Sequence, residues 1–327
     1  MAMEQMIRFE QIGGPEVLQW VEVDLPEPGP GEVRLRTQAA GLNFIDVYHR
    51  TGVYPAQMPS GIGVEGAGVI EAVGEGVTGF AVDDRAATFG PALGSYATAR
   101  NLKAETLFKL PEQISSETAA AVLLKGCTVE FMVERAAKVQ PGWTVLVHSA
   151  AGGVGQIAVG WLKGIGATVI GTVGHEAKVE KAKAVGCDHV LLSRGQEDVA
   201  ARVREITGGA GVPVVFDGIG KATWEASLGS AARRGLILSY GNASGSVEGV
   251  KLATLNQHGS LFVTRPKLFD YYVTPEERRA GAARLFEMLG KGAVKPEIGQ
   301  RFALRDAAEA HRAIEGGQTT GSTILLP

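Results

Sequence analysis

Between the apolar run Thr144-Val-Leu-Val-His148 and the apolar segment Gln156-Ile-Ala-Val-Gly-Trp-Leu-Lys163 lies Ser149-Ala-Ala-Gly152-Gly153-Val154-Gly155. The chemistry open to such a segment is the holding of a diphosphate. A strand that enters a helix through small residues points backbone N–H groups and the positive helix terminus at an anion. The spacing is G-x-G-x-x-G with Ala150 in the first glycine's place. Gly152 then allows close backbone approach and Gly155 close packing of helix on strand. Gly152, Gly153 and Val154 are the expected diphosphate holders. Taken alone, the loop also reads as a tight turn with no ligand.

The residues that follow choose between dinucleotides. Ala167-Thr-Val-Ile-Gly-Thr-Val173 is a β-branched run, placed as the second strand of a parallel pair. At its end an NAD site usually puts Asp or Glu on the ribose 2′-hydroxyl. Here Gly174 stands, with Lys178 beyond it and Arg194 after the third strand. A 2′-phosphate meets no repelling carboxylate at Gly174 and is paired by Lys178, so NADP is favoured over NAD. Glu176 keeps NAD open, and Lys178 also reads as a solvated lysine on one helix with Lys181 and Lys183.

These residues require a doubly wound sheet to position them. Strands are expected at 144–148, 167–173, 188–192, 212–217, 235–240 and 260–264, with helices at 153–165, 175–185, 196–207 and 221–232. Before residue 125 the chain reads as short strands and turns, such as Pro26-Glu-Pro-Gly-Pro-Gly31, with one helix near Asn43 to Thr51. Glycine makes up 45 of the 327 residues, about twice the usual share. Those between Gly61 and Gly79 punctuate strands, as a bent β-barrel requires at its corners. After 265 a helix at 275–291, a strand at 298–304, a helix at 306–315 and a strand at 322–326 are expected to rejoin the first domain. The fold class is therefore α/β, with domains at 1–125 plus 265–327 and at 126–264.

Composition narrows the setting. With 45% apolar and 20% charged residues the chain is long enough for two cores, and a net charge of −3 draws it to neither nucleic acid nor anionic membranes. No apolar run reaches the ~18 residues of a spanning helix, and Met1-Ala-Met-Glu-Gln-Met-Ile-Arg8 has no secretory pattern, so a cytoplasmic protein is expected. Cys127 and Cys187 read as buried small hydrophobes in a reducing compartment. His148 reads as a satisfied histidine near the core.

Seven segments together carry a family resemblance. They are Gly13-Gly-Pro-Glu-Val-Leu18, Gly41-Leu-Asn-Phe-Ile-Asp46 with Tyr48 and Tyr54, Pro59-Ser-Gly-Ile-Gly-Val-Glu-Gly-Ala-Gly68, Leu124-Lys-Gly-Cys-Thr128, the loop at 149–155, Ser239-Tyr-Gly-Asn242 and Val263-Thr-Arg-Pro266. The chain resembles, over essentially its whole length, the zinc-free quinone oxidoreductases of the medium-chain dehydrogenase/reductase superfamily, related to ζ-crystallin. The resemblance implies a GroES-like β-barrel catalytic domain, a Rossmann domain with a doubly wound parallel sheet, NADPH bound in the cleft between them, and a homodimer. Zinc-dependent relatives carry Cys in the segment matching Gly41–Asp46, Gly-His-Glu in place of Gly63-Val64-Glu65, and a four-cysteine lobe after about residue 90. This chain has Asn43 and Val64 at the first two places and no cysteine before Cys127, so the usual zinc ligands are missing and no metal is expected.

Without a metal the acceptor is restricted. Reducing a simple ketone creates an alkoxide with a proton affinity near that of hydroxide, with water at ~15.7. Reducing a quinone leaves a phenolate-like anion, for which tyrosine's ~10 is the analogue. The difference of about 6 units is roughly 8 kcal/mol that the protein need not supply. The expected activity is NADPH-dependent quinone reduction. The alternatives are reduction of enals or enones, whose product is an enolate, and a non-enzymatic NADPH-binding protein of the crystallin or RNA-binding kind.

By resemblance, Asn43, Tyr48 and Tyr54 line the nicotinamide and quinone pocket, and Lys125 and Thr128 contact the nicotinamide end. Gly174 and Lys178 hold the 2′-phosphate; Ser193 or Arg194 takes the place of a tyrosine found there in close relatives. An arginine that binds cofactor near the C-terminus of relatives is replaced by Gly316-Gly317-Gln318. Tyr240, Gly241 and Asn242 end the fifth strand where ligands gather. Thr264 and Arg265 lie at the exit, where Arg265 pairs a cofactor phosphate or secures the domain hinge. No residue presents itself as an obligatory acid or base, so catalysis is expected by positioning and polarisation.

Overall fold

The computed structural model describes residues 3–194 and 198–327. They form two compact units, one of residues 1–125, 274–282 and 296–327 and the other of 126–273 and 283–295.

The first unit is mainly β. Its long strand Glu32–Leu42 pairs antiparallel with Glu65–Val73, Ala99–Lys103 and Ser322–Leu326. Ser322–Leu326 in turn pairs with Ile298–Ala303, so the chain's end closes one side of this sheet. Register shifts at Arg34/Leu35 and Thr37/Ala39 bend the long strand. Ile7, Phe9, Leu42, Ile62, Tyr96 and Leu325 pack into one core. A short helix, Phe44–Thr51, leaves this core with Asn43 as its N-cap and ends on Gly52 in the left-handed region.

In the second unit β1 (Thr144–Val147), β2 (Thr168–Val173), β3 (His189–Leu192), β4 (Val212–Asp217), β5 (Ala231–Ser239) and β6 (Phe262–Thr264) make one parallel sheet. Its order is β3-β2-β1-β4-β5-β6. This is the doubly wound arrangement with its switch point between β1 and β4. The expected helices appear as Gly153–Gly164, Val179–Val185, Val199–Ile206 and Trp224–Ser230; residues 196 and 197 of the third expectation lie outside the described residues.

Three expectations are corrected. Ser116–Glu130 is helical and runs on as a π-helical turn, Phe131–Ala136, where only strands and loops were expected up to 125. Its run Ala119–Leu123 is buried all round, so no amphipathic period marks it. The fourth helix ends at Ser230 rather than 232, because Ala231 is already extended and β5 begins there. Residues 265–273 and 283–295 fall in the second unit rather than the first. Packing explains this: Arg135 donates to the Tyr271 carbonyl at 2.9 Å, Phe131 stacks on Tyr271, and Arg284 bonds Glu134.

His148 is fully buried, with Nδ1 3.0 Å from Thr172 Oγ1 and Nε2 3.1 Å from Ser227 Oγ, a satisfied core histidine as expected. Cys127 and Cys187 are buried, and burial pushes the Cys187 thiol up to about 12.

Candidate active site

The loop after β1 is built as its composition demands. Gly152 is the N-cap of Gly153–Gly164 in extended conformation, with no side chain capping the helix, so the first-turn N–H groups face outward for an anion. A Cβ on Gly155 would stand 2.1 Å from the Ser149 carbonyl oxygen and 2.9 Å from Ala150 Cα, both backbone atoms that cannot swing away. Gly155→Ala is therefore expected to cost about 1–3 kcal/mol of stability and to weaken dinucleotide binding by at least ~10-fold, because the loop must shift. Urea unfolding and a fluorescence titration on the same samples check both; an unchanged affinity sinks the diphosphate role of this loop.

At the carboxyl ends of β2 and β3 a cationic corner forms. Ser193 donates its N–H to the Val173 carbonyl at 2.9 Å, and the space above Gly174 opens toward Arg194, whose Cδ and Nε lie 3.7 Å from where a Cβ would be. Burial lowers the Lys178 ammonium below its usual range, with the charges of Lys181 and Arg194 adding to the fall. Like charges gathered this way fit a phosphate dianion.

Across the switch point, Asp217 sits at the end of β4, 1% exposed. It accepts from Ile219 N at 2.9 Å, Gly220 N at 3.0 Å, Thr223 Oγ1 at 2.8 Å and Ser227 Oγ at 2.7 Å. The loop it holds packs directly on Tyr240 and Gly241; a Cβ on Gly241 would meet the Gly218 oxygen at 2.3 Å. Arg265 donates to the Ser239 carbonyl at 2.7 Å, and the Asn242 amide, turned with its oxygen toward Arg265, accepts at 3.2 Å. The Arg265 guanidinium is thus engaged with the end of β5. Thr264 closes β6, and Thr128 lies on the Ser116–Glu130 helix.

In the first unit Tyr48 and Tyr54 come together, Tyr48 on the helix that Asn43 caps and Tyr54 just after it. Tyr48 and Tyr54 meet edge to face at 5.3 Å, and Phe44 and His49 extend the aromatic group to either side. Asn43 is buried and donates from Nδ2 to Glu65 Oε2 at 2.8 Å. Glu65 was not singled out from the sequence, yet it organises this site. It is wholly buried, its Oε1 accepts from Leu124 N at 2.6 Å, and Lys125 Nζ lies 3.6 Å from Oε2. A Cβ on Gly41 would fall 2.4 Å from Oε2, so glycine there makes room for the carboxylate. Burial raises the Glu65 carboxyl above the usual range, and the Lys125 charge pulls it back. Lys125, expected at the nicotinamide end, is thus paired with a buried carboxyl that was not singled out.

Asp46 continues the network, accepting at Oδ2 from Asn43 N and Tyr96 Oη, each at 2.9 Å. Burial lifts its carboxyl to about 7, against those two hydrogen bonds and the Lys125 charge. The unfolded value is about 3.9. Between about pH 4 and 7 the folded chain keeps a proton that the unfolded chain has lost, so this contribution is full below pH 4 and gone above 7. Asp46→Asn keeps an acceptor without the charge. The variant is expected to match the parent near pH 4 and to exceed it at pH 8 by up to ~4 kcal/mol, in urea midpoints measured against pH. His311 acts in the other sense: burial, then the Arg50 charge, lowers it to about 3, so its contribution is present above ~6.5 and lost as pH falls.

This donor set offers little to a zinc ion. The Glu65 oxygens are taken by Asn43, Leu124 and Lys125, the neighbouring position is Val64, and the adjacent charge is an ammonium. Among the described residues no group of three or more His, Cys, Asp or Glu is placed to hold a metal ion. The site does not fit zinc.

A parallel sheet of this order with a glycine loop after β1, accompanied by a β-rich unit that takes in both chain ends, defines a medium-chain dehydrogenase/reductase. Residues 29–112 match the alcohol dehydrogenase GroES-like domain, and residues 153–287 match the model described as zinc-binding dehydrogenase. The chain is 49% identical to a quinone oxidoreductase of Pseudomonas aeruginosa, covering 99% of this chain and 100% of the relative. It is 44% identical to a 2-haloacrylate reductase of a Burkholderia species, covering 96% of each. The solved structure of Escherichia coli quinone oxidoreductase complexed with NADPH superposes with a TM-score of 0.96 at 43% identity, over 99% of this chain and 100% of that one. The chain belongs to the quinone oxidoreductase family of the medium-chain dehydrogenase/reductase superfamily.

Proposed function

We propose that this protein is an NADPH-dependent quinone reductase. The observation that carries the reading is the end-to-end similarity to a quinone oxidoreductase complexed with NADPH, in a chain that pairs the rings of Tyr48 and Tyr54 at the helix capped by Asn43. When bound, NADPH supplies the hydride. The N–H groups of Gly152, Gly153 and Val154 hold its diphosphate. Lys178 and Arg194, with Ser193 and the open space at Gly174, hold the 2′-phosphate. Tyr240, Gly241, Asn242, Thr264 and Arg265 form the rim at the ends of β5 and β6, and Thr128 and Lys125 contact the nicotinamide end. Tyr48 and Tyr54 orient a flat acceptor by ring contact and offer hydroxyls to its oxygen.

Reduction of an activated alkene is the second reading, favoured by the similarity to 2-haloacrylate reductase. The two separate in one experiment. NADPH loss is followed with 1,4-benzoquinone, an ortho-quinone and an α,β-unsaturated aldehyde, each repeated with NADH and with a chelator. Fast quinone turnover that prefers NADPH and ignores the chelator supports the first reading. Turnover of the aldehyde alone moves the assignment to alkene reduction, and silence with every acceptor despite tight NADPH binding leaves a binding protein.

The reading includes a homodimer in the cytoplasm. Strand β6 is the end strand of its sheet, and Phe262 on it is 62% exposed, with Leu252 on the preceding helix 82% exposed. An apolar sheet edge of this kind invites pairing with a second copy. Two buried free cysteines suit a reducing compartment, and among the described residues no helix is long and apolar enough to cross a membrane.

A further inference from the structure

Lys125 is about nine-tenths buried, yet among the described residues its Nζ has no hydrogen-bond partner. Its ion-pair partner is Glu65, at 3.6 Å, too long for a hydrogen bond, and its charge also reaches the buried Asp46 carboxyl. An ammonium carries three donors, and withdrawing them from water unpaired is costly. A group held this way is poised for something that arrives. Its place is informative, because Glu65 Oε2 is shared by Lys125 and by Asn43. The ammonium therefore lies beside the amide that, with Tyr48 and Tyr54, makes up the proposed acceptor pocket.

We propose that Lys125 is the proton donor of the reaction, its ammonium meeting the oxyanion that forms on the acceptor while Glu65 holds it in place. The inference rests on the reductase reading. Hydride reduction of a quinone leaves a hydroquinone monoanion, and reduction of an enone leaves an enolate. One N–H bond of Lys125 breaks, one O–H bond forms on that oxyanion or one C–H bond on the enolate carbon, and the neutral amine takes its proton back from water. The positive charge that a metal would bring to the oxygen is brought here by the ammonium, and it carries the proton as well.

Lys125→Met and Lys125→Arg are assayed with NADPH against 1,4-benzoquinone and against an α,β-unsaturated ketone. Proton donation predicts a loss in kcat that grows with the basicity of the anion formed: about 10-fold or less for the quinone and about 100- to 1,000-fold for the ketone. Arginine keeps the charge but does not give up a proton, so Lys125→Arg is expected to fail on the ketone nearly as badly. NADPH affinity is read by fluorescence for each variant, and proton donation predicts a kcat loss at saturating NADPH that differs between the two acceptors whatever part of the coenzyme affinity Lys125 supplies. A readout without turnover is the colour of 4-nitrophenol titrated into the protein, bound as phenolate by the parent and as phenol by Lys125→Met. The double variant Glu65→Gln/Lys125→Met removes both charges and, with thermal melting, controls for folding.

Equal losses on both acceptors, or lost NADPH binding with kcat intact, overturn the proposal and leave Lys125 as a coenzyme holder. No NADPH consumption by the parent with either acceptor overturns the reductase reading instead. In that case the nitrophenol titration alone decides whether Lys125 faces an oxyanion.

Discussion

Alanine at both Lys178 and Arg194 is expected to weaken NADPH binding about 100-fold and to leave NADH binding within about 2-fold, erasing the preference between them. One charge-assisted contact to phosphate is worth about 1.5–3 kcal/mol, so two amount to about 3–6. Arg194 is exposed and Lys178 only half-buried, so solvent screening sets the expectation at the low end, about 3 kcal/mol. At about 1.4 kcal/mol per decade that is 100-fold. The mutual repulsion of Lys178, Lys181 and Arg194 argues in the same direction, because a dianion relieves it and the 2′-hydroxyl of NADH does not. Fluorescence titrations with both coenzymes at two salt concentrations check this. A parallel fall for NADH and NADPH means that the corner supports the loop rather than the phosphate, and a salt-independent difference means that the discrimination lies elsewhere.

The largest loss of stability is expected from Asp217→Ala. The carboxylate satisfies two loop N–H groups and two hydroxyls in a site closed to solvent. Each orphaned donor costs about 1–3 kcal/mol before relaxation, so the variant is expected to lose at least ~4 kcal/mol. Such a value is exceptional for one substitution. Ser227→Ala, which removes a single donor, is expected to cost about 1 kcal/mol. Urea midpoints at constant slope measure both. The consequence reaches function through the Gly218–Gly220 loop, since Tyr240 and Gly241 pack on Gly218. Asp217→Ala is therefore expected to loosen the coenzyme rim even below its unfolding temperature, seen as weaker NADPH binding; tight binding with normal stability defeats the argument.

The parallel sheet was legible because its signals are local. Apolar β-branched runs, helical periods and the glycine loop each lie within a few residues, and the right-handed crossover rule leaves little choice of strand order. The cationic corner was legible for a related reason: Gly174, Lys178 and Arg194 follow the ends of strands that the same fold brings side by side. Composition likewise restricted the metal chemistry, because Asn43 and Val64 are visible as residue types wherever they sit.

Burial and long-range pairing were not legible. The Ser116–Glu130 helix has no polar face, so its period does not appear in the sequence; only its surroundings make it a helix. Arg50, near the end of the expected helix at Asn43 to Thr51, is 1% exposed and bonded to Glu315 and His311, more than 260 positions away. Glu65 entered the sequence comparison only as the last residue of Gly63-Val64-Glu65. Its meaning depends on Asn43, 22 positions before it, and on Lys125, 60 positions after it, and on the absence of water around all three. The sequence by itself determined the family, the two kinds of architecture and the residue types available for dinucleotide chemistry, because these rest on local pattern. Only the tertiary structure decided which charges lose their water and meet, and hence that Lys125 and Asn43 share the buried Glu65, because desolvation and Coulomb contact are properties of positions in space.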